Sequence, residues 1–352
     1  MFTGSLPDIA ATELRIVIDS MLPGAVTDIE RITFGRARLL RFASSVGPDI
    51  LAPILGQLSS TAALFVGHAS PDGPDADTVD LLRPVLADEA LTYGSELVTT
   101  QRYRGKTNER LTRAMLNCGL AAAGINPADP TGTILDPMCG RGTTLNWALA
   151  YGLSSVGMDA DRGAVDQHAT FLETWAKRAR LPHKAERFKR NNKESRVFTI
   201  RLARDRAALT STSGATTDGR QAQIVQTFNA DAADRGVAIR RGSVDVIVTD
   251  LPYGVQHRGA AGRHGADKGG DTDAGRETPA LVERMLPVWH RHLRPGGSIC
   301  LAWNTKRAAR RELTTLLTGA GFSAVTTPGG FSMRHVVDAS IDRDVIVAVK
   351  AR

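Results

Sequence analysis

The stretch LDPMCGRGTTL, residues 135–145, joins the end of a short apolar run to the start of a helical pattern. Gly140 and Gly142 let the backbone pass close to a ligand before the helix begins. A dinucleotide fingerprint would place a third glycine where Leu145 stands, and a P-loop would end in Gly-Lys-Ser/Thr. The stretch therefore predicts a strand, a glycine turn and a helix, and the turn either binds a ligand or only connects the two elements.

Short β-branched or apolar runs recur on both sides of this turn, separated by segments long enough for crossover helices. The runs are GTILDP (132–137), SSVGMDAD (154–161), IVQTFNAD (224–231), SVDVIVTDLP (243–252) and GSICLAWN (297–304). Upstream, KTNERLTRAMLNCGLAAAG (106–124) predicts a helix capped by Thr107 or Asn108. The alternation predicts an α/β fold with a doubly wound, mostly parallel Rossmann-like sheet, whose ligands bind beyond the carboxyl ends of the strands.

Acidic residues follow the second and third runs. Asp159 and Asp161 lie about 20 residues beyond the glycine turn, where an acid can accept hydrogen bonds from ribose hydroxyls. Asp231 follows the third run and is placed to accept a hydrogen from an adenine amino group. Each acid alone could be a helix cap or a loop residue. Together with the glycine turn they predict an adenosine pocket.

The fourth run ends in VTDLPYGV, residues 248–255. Asp250 can accept one hydrogen of an amino group and stabilise the positive charge that develops on its nitrogen, and the Leu251 carbonyl can accept the other hydrogen. Pro252 confines Leu251 to extended geometry, and Tyr253 offers a ring on which a base can stack. The alternative is that the strand simply ends in turn-forming residues.

Taken in order, DPMCGRGTT, GMDAD, FNAD and TDLPYG resemble the motifs of class I S-adenosylmethionine-dependent methyltransferases that methylate amino groups. The Asp-Leu-Pro-Tyr form, with GKTNERLTRAMLN upstream and a glycine-rich loop downstream, is similar to the THUMP-associated tRNA guanine-N2 methyltransferases. The resemblance covers about residues 96–352. It implies S-adenosylmethionine as cofactor and methyl transfer to the exocyclic amino group of a nucleobase in RNA, guanine N2 in tRNA.

The resemblance also implies the site residues. Catalytic roles fall to Asp250, Leu251, Pro252 and Tyr253. Cofactor contacts are expected from Thr107, Asp136, Pro137, Met138, Cys139, Gly140, Gly142, Thr143, Asp159, Ala160, Asp231, Ala232 and Asp250. No metal is expected, because the histidines show no recognised ligand spacing; solvated or capping positions are predicted for His168, His183, His257, His264, His290 and His292.

The chain divides near residue 95. Residues 1–95 predict a small α+β domain, with helices at 8–22, 49–60 and 81–91, strands at 35–44 and 61–69, and an exposed loop at 70–80. This part is similar to the ferredoxin-like domain that precedes THUMP in the related family, but it leaves too few residues for a complete THUMP domain. Residues 96–352 form the methyltransferase domain, with a basic insertion at 177–226 and a glycine-rich loop at 254–275.

Charge differs between the two parts. Residues 1–95 hold 12 acids and 6 bases, a net −6, and residues 96–352 hold 25 acids and 38 bases, a net +13. The densest run, residues 177–206, has 12 bases against 3 acids. This asymmetry predicts that the second part binds a polyanion such as RNA. The alternative for the dense basic run is that it only forms a solvated face.

Composition narrows the protein class. Three scattered cysteines predict neither a disulfide framework nor a disulfide-linked partner, and no apolar stretch predicts a signal peptide or a membrane span, so a cytoplasmic protein is expected. The sequence does not determine an oligomeric state. Other functions stay open: amino methylation of DNA adenine, of rRNA or of a protein glutamine, or a non-catalytic RNA-binding homologue.

Overall fold

The computed structural model describes residues 6–34, 36–69, 79–86, 90–103, 105–189, 196–210, 221–252, 274–326 and 332–352. The N-terminal elements are α1 (Leu6–Met21), β1 (Val26–Phe34), β2 (Ala37–Ser44), α2 (Pro48–Gly56), β3 (Leu64–Ala69), β4 (Val79–Val85) and α3 (Glu96–Thr99). The elements that follow are α4 (Glu109–Ala122), β5 (Thr133–Asp136), α5 (Thr143–Ala150), β6 (Ser154–Asp159), α6 (Arg162–Arg178), β7 (His183–Lys189), β8 (Arg196–Leu202), α7 (Arg206–Thr210), β9 (Gln223–Asn229), β10 (Val244–Asp250), α8 (Ala274–His292), β11 (Leu293–Asn304), α9 (Arg310–Gly319), β12 (Phe322–Ala324), β13 (His335–Val336) and β14 (Asp342–Lys350).

The second part is built on one large sheet. Its strand order is β12-β14-β11-β10-β5-β6-β9-β8-β7, and β13 pairs with β14. The five central strands β11, β10, β5, β6 and β9 are parallel, whereas β14 is antiparallel to β11. This is a mixed, mostly parallel Rossmann-like sheet with flanking helices, which confirms the fold class predicted for this part of the chain.

Strict alternation along the strands produces two core layers. Val246 and Val248 of β10 pack on the side of α4, α5 and α6, while Ile247 packs on the side of α8 and α9. Successive side chains of a strand point to opposite faces, so a strand buried on both faces has an almost continuous apolar sequence. Asp250 belongs to the same face as Val246 and Val248, and it therefore points to the α4 side.

The structure differs from the sequence prediction in the connection between β9 and β10 and in the basic insertion. Residues 230–243 connect β9 to β10 through turns and contain no helix. Much of the insertion at 177–226 forms the β7–β8 hairpin, which extends the sheet beyond β9. Several bases of this hairpin pair with acids: Arg187 with Glu173 at 3.1 Å, and Arg196 with Asp166 at 3.3 Å. These contacts favour a solvated face for part of the dense basic run.

The N-terminal part is α+β, but two expectations for it were wrong. Among its described residues, the strands form two ladders, β1–β2 and β3–β4, with no pairing between them, where one ferredoxin-like sheet was expected. The predicted helix at 81–91 is also absent from its described residues, since Leu81–Val85 belong to β4 and pair with β3. Pro84 opposes a helix there because it clashes with the preceding turn, and an edge strand accepts it. Of the predicted loop, residues 70–78 lie outside the described residues.

Helix α1 joins the two parts. Its residues Ile9 and Ile16 belong to the core around α4 and α5, while Leu14, Val17 and Ile18 pack with α2 and with Ala121 of α4. The boundary near residue 95 stays a prediction, because α1 contributes to both cores. Within the described ranges, no helix has the length and apolar character needed to cross a membrane.

A buried polar network lies at the contact between α1 and α4. Glu13, with 0% exposure, accepts hydrogen bonds from Ser59 N at 2.9 Å, Ser59 Oγ at 2.6 Å and Asn117 Nδ2 at 2.7 Å. Tyr151 donates to Asn117 Oδ1 at 2.7 Å, and Arg113 Nε donates to Tyr151 at 3.0 Å. Burial raises the pKa of Glu13, and the hydrogen bonds from Ser59 and Asn117 oppose that rise.

Replacing Glu13 by Ala should lower the free energy of unfolding by about 2–4 kcal/mol, because the Ser59 and Asn117 donors would lose their acceptor in a buried site. Glu13→Gln should cost about 1 kcal/mol or less, since the amide oxygen still accepts. Urea denaturation measures both. The matched control is Asp19→Ala on the exposed side of α1, expected to change the value by about 0.5 kcal/mol or less. Equal losses for the alanine and glutamine variants would contradict the assigned network.

Candidate active site

The glycine turn lies between β5 and α5. Gly140 has φ +50° and Gly142 has φ +81°, a region that residues with a side chain rarely adopt. The turn is closed by Gly142 N donating to Cys139 O at 2.7 Å, and Cys139 N donates to Met158 O on the neighbouring β6 at 2.9 Å. The turn is therefore joined to the adjacent strand as well as to its own.

His168 on α6 packs against this turn. A Cβ on Gly142 would lie 2.3 Å from the His168 ring, so glycine is needed there for space as well as for φ. His168 has 0% exposure, and its Nε2 lies 3.1 Å from Asn146 Oδ1. Burial lowers the pKa of His168 to about 4. The predicted solvated or capping position is wrong for this histidine, and also for His292, which is 1% exposed.

The acids after β6 have different tasks. Asp159 Oδ2 accepts the Gly140 N–H at 2.7 Å, and its Oδ1 accepts the Asp161 N–H at 2.8 Å. Asp161 Oδ1 caps α6 by accepting the Gly163 N–H at 2.8 Å. Asp159 is thus part of the glycine turn, whereas Asp161 has the alternative role of a helix cap.

Asp136 ends β5 beneath the same turn and is 4% exposed. Its Oδ1 accepts the Met138 N–H at 3.1 Å. Burial raises the pKa of Asp136 to about 7, the hydrogen bond from Thr144 opposes the rise, and the nearby Asp159 carboxylate adds to it. A cation bound beside Asp136 would favour its ionised form. Pro137 and Cys139 beside it are buried, and burial raises the pKa of the Cys139 thiol well above its usual range, which disfavours a nucleophilic thiolate.

The end of β9 is tied to the end of β6 by a residue that the sequence interpretation did not assign. Asn229 Nδ2 donates to the carbonyl oxygens of Asp159 at 3.1 Å and Ala160 at 3.0 Å. Asp231 is exposed, accepts the Ala233 N–H at 2.8 Å and forms an ion pair with Arg284 at 3.2 Å. Ala232 beside it is buried. The sequence interpretation assigned a role to Asp231, the acid of FNAD. The residue that connects β9 to β6 is instead Asn229, two positions earlier.

Thr143, the first residue of α5, meets an aromatic residue from the segment before α4. Its Oγ1 lies 3.2 Å from the Tyr103 hydroxyl. The guanidinium carbon of Arg141 lies 4.5 Å from the centre of the Tyr103 ring, within the range of a cation–π contact. Tyr103 and Arg141 therefore close one side of the glycine turn.

Asp250 ends β10 on the α4 side of the sheet. Thr107 Oγ1 donates to Asp250 Oδ2 at 2.8 Å, and Arg343 Nη2 lies 3.4 Å from the same oxygen. Thr107 precedes α4, whose N-terminus is capped by Asn108 accepting from Arg110 N and Leu111 N, so the predicted cap is confirmed. The segment that precedes α4 thus contacts the carboxyl end of β10 through Thr107 and Asp250.

The rest of the Asp-Leu-Pro-Tyr segment is described only as far as Pro252. Leu251 is 1% exposed, and its N–H donates to Ala302 O at 2.8 Å, which continues the pairing of β10 with β11. Pro252 is partly buried. Tyr253 and the glycine-rich loop up to residue 273 lie outside the described residues.

Residues 99–265 match the UPF0020 family model, described as an RMKL-like methyltransferase domain. The matched range contains the glycine turn, the acids after β6 and β9, and the Asp-Leu-Pro-Tyr segment. Residues 99–265 therefore belong to a methyltransferase domain, whose cofactor is S-adenosylmethionine. The class of enzyme and the cofactor predicted from the sequence are therefore confirmed. No curated protein matches the chain.

Solved structures of methyltransferases are similar to the chain at low identity. TrmN from Thermus thermophilus is 18% identical, with a TM-score of 0.38, and the match covers 70% of this chain and 50% of that one. A methyltransferase from Clostridium acetobutylicum is 9% identical, covers 71% and 94%, and has a TM-score of 0.40. Magnesium protoporphyrin IX methyltransferase (ChlM) from Synechocystis, with bound S-adenosylmethionine, is 14% identical, covers 71% and 87%, and has a TM-score of 0.35. The strand order of the sheet, rather than these matches, establishes the fold.

The residues at the glycine turn fit S-adenosylmethionine. The turn has two glycines with positive φ, which carry no side chain to obstruct a ligand. The N-cap of α5 is Gly142, which offers no side-chain cap, so the N-terminal N–H groups of the helix suit a carboxylate. The Asp136 and Asp159 carboxyls lie under and beside the turn, where cationic and hydroxyl groups of the cofactor can bind. Among the described residues, no group of three or more His, Cys, Asp or Glu side chains could hold a metal ion.

Gly142→Ala should lower the free energy of unfolding by more than about 3 kcal/mol, because the methyl group adds a clash with His168 to the cost of positive φ. The matched control is Gly24→Ala, where φ is +74° and nothing lies within 4 Å of an added Cβ. This control isolates the cost of φ, about 1–2 kcal/mol. Chemical denaturation compares the two, and a second substitution, His168→Ala, should recover part of the Gly142→Ala loss. Similar losses at both glycines would exclude the clash.

His168 predicts a stability difference that depends on pH. Its pKa in the folded state, about 4, lies below the ordinary 6.5, so the unfolded state binds more protons as the pH falls through this interval. The stabilisation is complete above about pH 6.5 and is lost toward about pH 4. The free-energy advantage of the wild type over His168→Gln should shrink by about 2 kcal/mol between about pH 7.5 and about pH 5. Denaturation at both pH values tests this, and a constant difference would contradict it.

Proposed function

We propose that the protein transfers a methyl group from S-adenosylmethionine to the exocyclic amino group of a nucleobase in RNA, namely guanine N2 in tRNA. The observation that carries the proposal is the Asp250 carboxylate, held by Thr107 at 2.8 Å at the carboxyl end of β10. Strand β10 pairs with β5, so Asp250 is presented at the same edge of the sheet as the glycine turn. This edge is where open parallel sheets bind their ligands.

The cofactor contacts are proposed for residues at the ends of four strands. Asp159 would accept ribose hydroxyls, for which a carboxylate has enough lone pairs even while it binds the glycine turn. The remaining contacts are proposed for Thr107, Asp136, Pro137, Met138, Cys139, Gly140, Gly142, Thr143, Ala160, Asp231, Ala232 and Asp250. When bound, S-adenosylmethionine supplies an electrophilic methyl group on a sulfonium.

Asp250 performs the central task in this proposal. The lone pair of an aromatic amino group is delocalised into the ring, so the nitrogen must be oriented toward the methyl group. Asp250 would accept a hydrogen bond from one amino hydrogen and stabilise the positive charge that develops on nitrogen. When the N–C bond replaces the S–C bond, S-adenosylhomocysteine would leave as the neutral thioether, and the proton released by the nitrogen would pass to the Asp250 carboxylate or to water. The Leu251 carbonyl would accept the second hydrogen, because Pro252 restricts Leu251 to extended geometry. Tyr253 would stack on the base.

The charge balance supports a nucleic acid as the substrate. Residues 96–352 hold 38 bases and 25 acids, and a net positive surface binds phosphates by releasing counterions. The basic hairpin β7–β8 is not assigned as the contact, since Arg187 and Arg196 already pair with acids. Recognition by a complete THUMP domain is also not part of the proposal.

The first experiment measures transfer of labelled methyl groups from S-adenosylmethionine to purified pools of tRNA, rRNA, DNA and protein. Label recovered as N2-methylguanosine in tRNA is the expected result. Label in adenine of DNA, in rRNA or in protein glutamine would keep the chemistry and overturn the substrate. Cofactor binding without label in any pool would support a non-catalytic binder.

Asp250→Ala should lower the turnover number by about 100-fold or more, because the preorganised acceptor is lost. The affinity for S-adenosylmethionine should change by only about threefold or less, because Asp250 is one of thirteen proposed cofactor contacts. Asp250→Asn should lose less, since it keeps one acceptor oxygen and the contact with Thr107. Calorimetry gives the cofactor affinity and methyl transfer gives the turnover. Turnover of Asp250→Ala near that of the wild type would remove the assigned role.

A further inference from the structure

Arg343 lies at the start of the strand DRDVIVAVK, between Asp342 and Asp344 and just before its apolar run. Asp250 on β10 pairs with Ala302 on β11, and Ala302 pairs with Val345 on β14. Directly paired residues share a face of a sheet, and residues two apart on a strand do so too. Arg343 therefore lies on the same face as Asp250, two strands away and slightly beyond the carboxyl end of β10.

The Arg343 side chain reaches Asp250 in a nearly dry environment. Its Nη2 lies 3.4 Å from Asp250 Oδ2, and the two side chains are only 7% and 16% exposed. Thr107 Oγ1 donates to the same oxygen at 2.8 Å. Two donors from distant parts of the chain, one before α4 and one on β14, thus converge on one carboxylate oxygen. A carboxylate held in this way cannot rotate without breaking both contacts.

The residue that follows Arg343 on β14 forms a second ion pair, on the other face of the strand. Asp344 pairs with Arg310 Nη1 at 2.8 Å on the opposite face of β14, toward α9. The Arg310 side chain is 47% exposed, and it pairs with Asp344 rather than with Asp250. The two pairs therefore offer a comparison between an arginine that contacts the proposed catalytic acid and one that only stabilises the same strand.

We propose that Arg343 is a positioning residue for methyl transfer, which holds the Asp250 carboxylate in the orientation that accepts the hydrogen of the substrate amino group. The inference rests on the proposed function, because it acts through Asp250. It adds a residue that lies outside the range matched by the family model, which ends at residue 265. Arg343 itself need not touch the substrate or the cofactor.

The test compares Arg343→Met and Arg343→Lys with the control Arg310→Met. The substrate is whichever pool of tRNA, rRNA, DNA or protein accepts label from the wild type. Arg343→Met should lower kcat by about 10- to 100-fold, since a small misplacement of a reacting group has an effect of that size. KM and the Kd of S-adenosylmethionine should change by less than about threefold. Arg343→Lys should recover part of kcat, because it keeps the charge but not the planar donor.

The control Arg310→Met distinguishes a role in positioning Asp250 from a contribution to the stability of the fold alone. It should lower the thermal stability, because buried Asp344 loses its partner, yet keep kcat within about twofold. A merely structural role of Arg343 would give the same pattern for Arg343→Met: a lowered Tm and an unchanged kcat of the folded enzyme. That outcome would overturn the proposal.

The double variant Asp250→Ala/Arg343→Met separates failure of this inference from failure of the proposed function. If Arg343 acts through Asp250, adding Arg343→Met to Asp250→Ala should change the residual kcat by less than about twofold. A further loss of about tenfold would mean that Arg343 acts independently of Asp250. Near-normal turnover of Asp250→Ala alone would instead overturn the role of Asp250, and with it both proposals.

A crystal structure of Arg343→Met gives a readout that does not depend on activity. The expected result is an Asp250 carboxylate that has rotated away from Thr107 or that occupies more than one rotamer. An Asp250 side chain unchanged in position, with its contact to Thr107 intact, would contradict the proposal even where no substrate is found.

Discussion

The hydrogen bond from Gly140 N to Asp159 Oδ2, 2.7 Å long, joins the carboxyl ends of the neighbouring parallel strands β5 and β6. The rest of the site depends on it, because it fixes the glycine turn relative to the next strand. His168 supports the turn from α6, and Asn229 ties the end of β9 to the same place. Three strands and one helix thus hold a loop whose glycines could otherwise adopt many conformations, which preorganises the proposed cofactor site.

Helix α4 couples the other half of the site to the remainder of the chain. Its apolar side packs on Val246 and Val248 of β10, and the residue before its cap, Thr107, contacts Asp250. Its polar side holds α1 through the buried network of Glu13 and Asn117. The N-terminal part is therefore attached to the helix that directly follows Thr107, the residue that contacts Asp250.

Local patterns predicted much of this arrangement. The strands β5, β6, β9, β10 and β11, the Asn108 cap and the glycine turn follow from alternation, cap chemistry and the need for positive φ, which act over a few residues. The errors occurred where partners are distant. Leu81–Val85 looked helical because the pairing with β3 is not local, and His168 was interpreted as a solvated or capping residue because nothing near it in sequence reveals that α6 buries it. Arg343 gave no such local signal, because it stands among the charged residues that begin β14.

The sequence by itself determined the class of fold and predicted an acid at the end of β10, since both depend on residue types at short spacing and on the rule that parallel strands present their carboxyl ends at one edge. The cofactor followed from the resemblance of these motifs to a known family. Only the tertiary structure decided which side chains meet at that edge. Thr107, Asp250 and Arg343 are separated by 143 and 93 residues, and they converge because β10, β11 and β14 are adjacent in the sheet and expose the same face to α4. Contacts between such distant residues depend on strand order and on the packing of helices, which no local pattern of amino acids encodes.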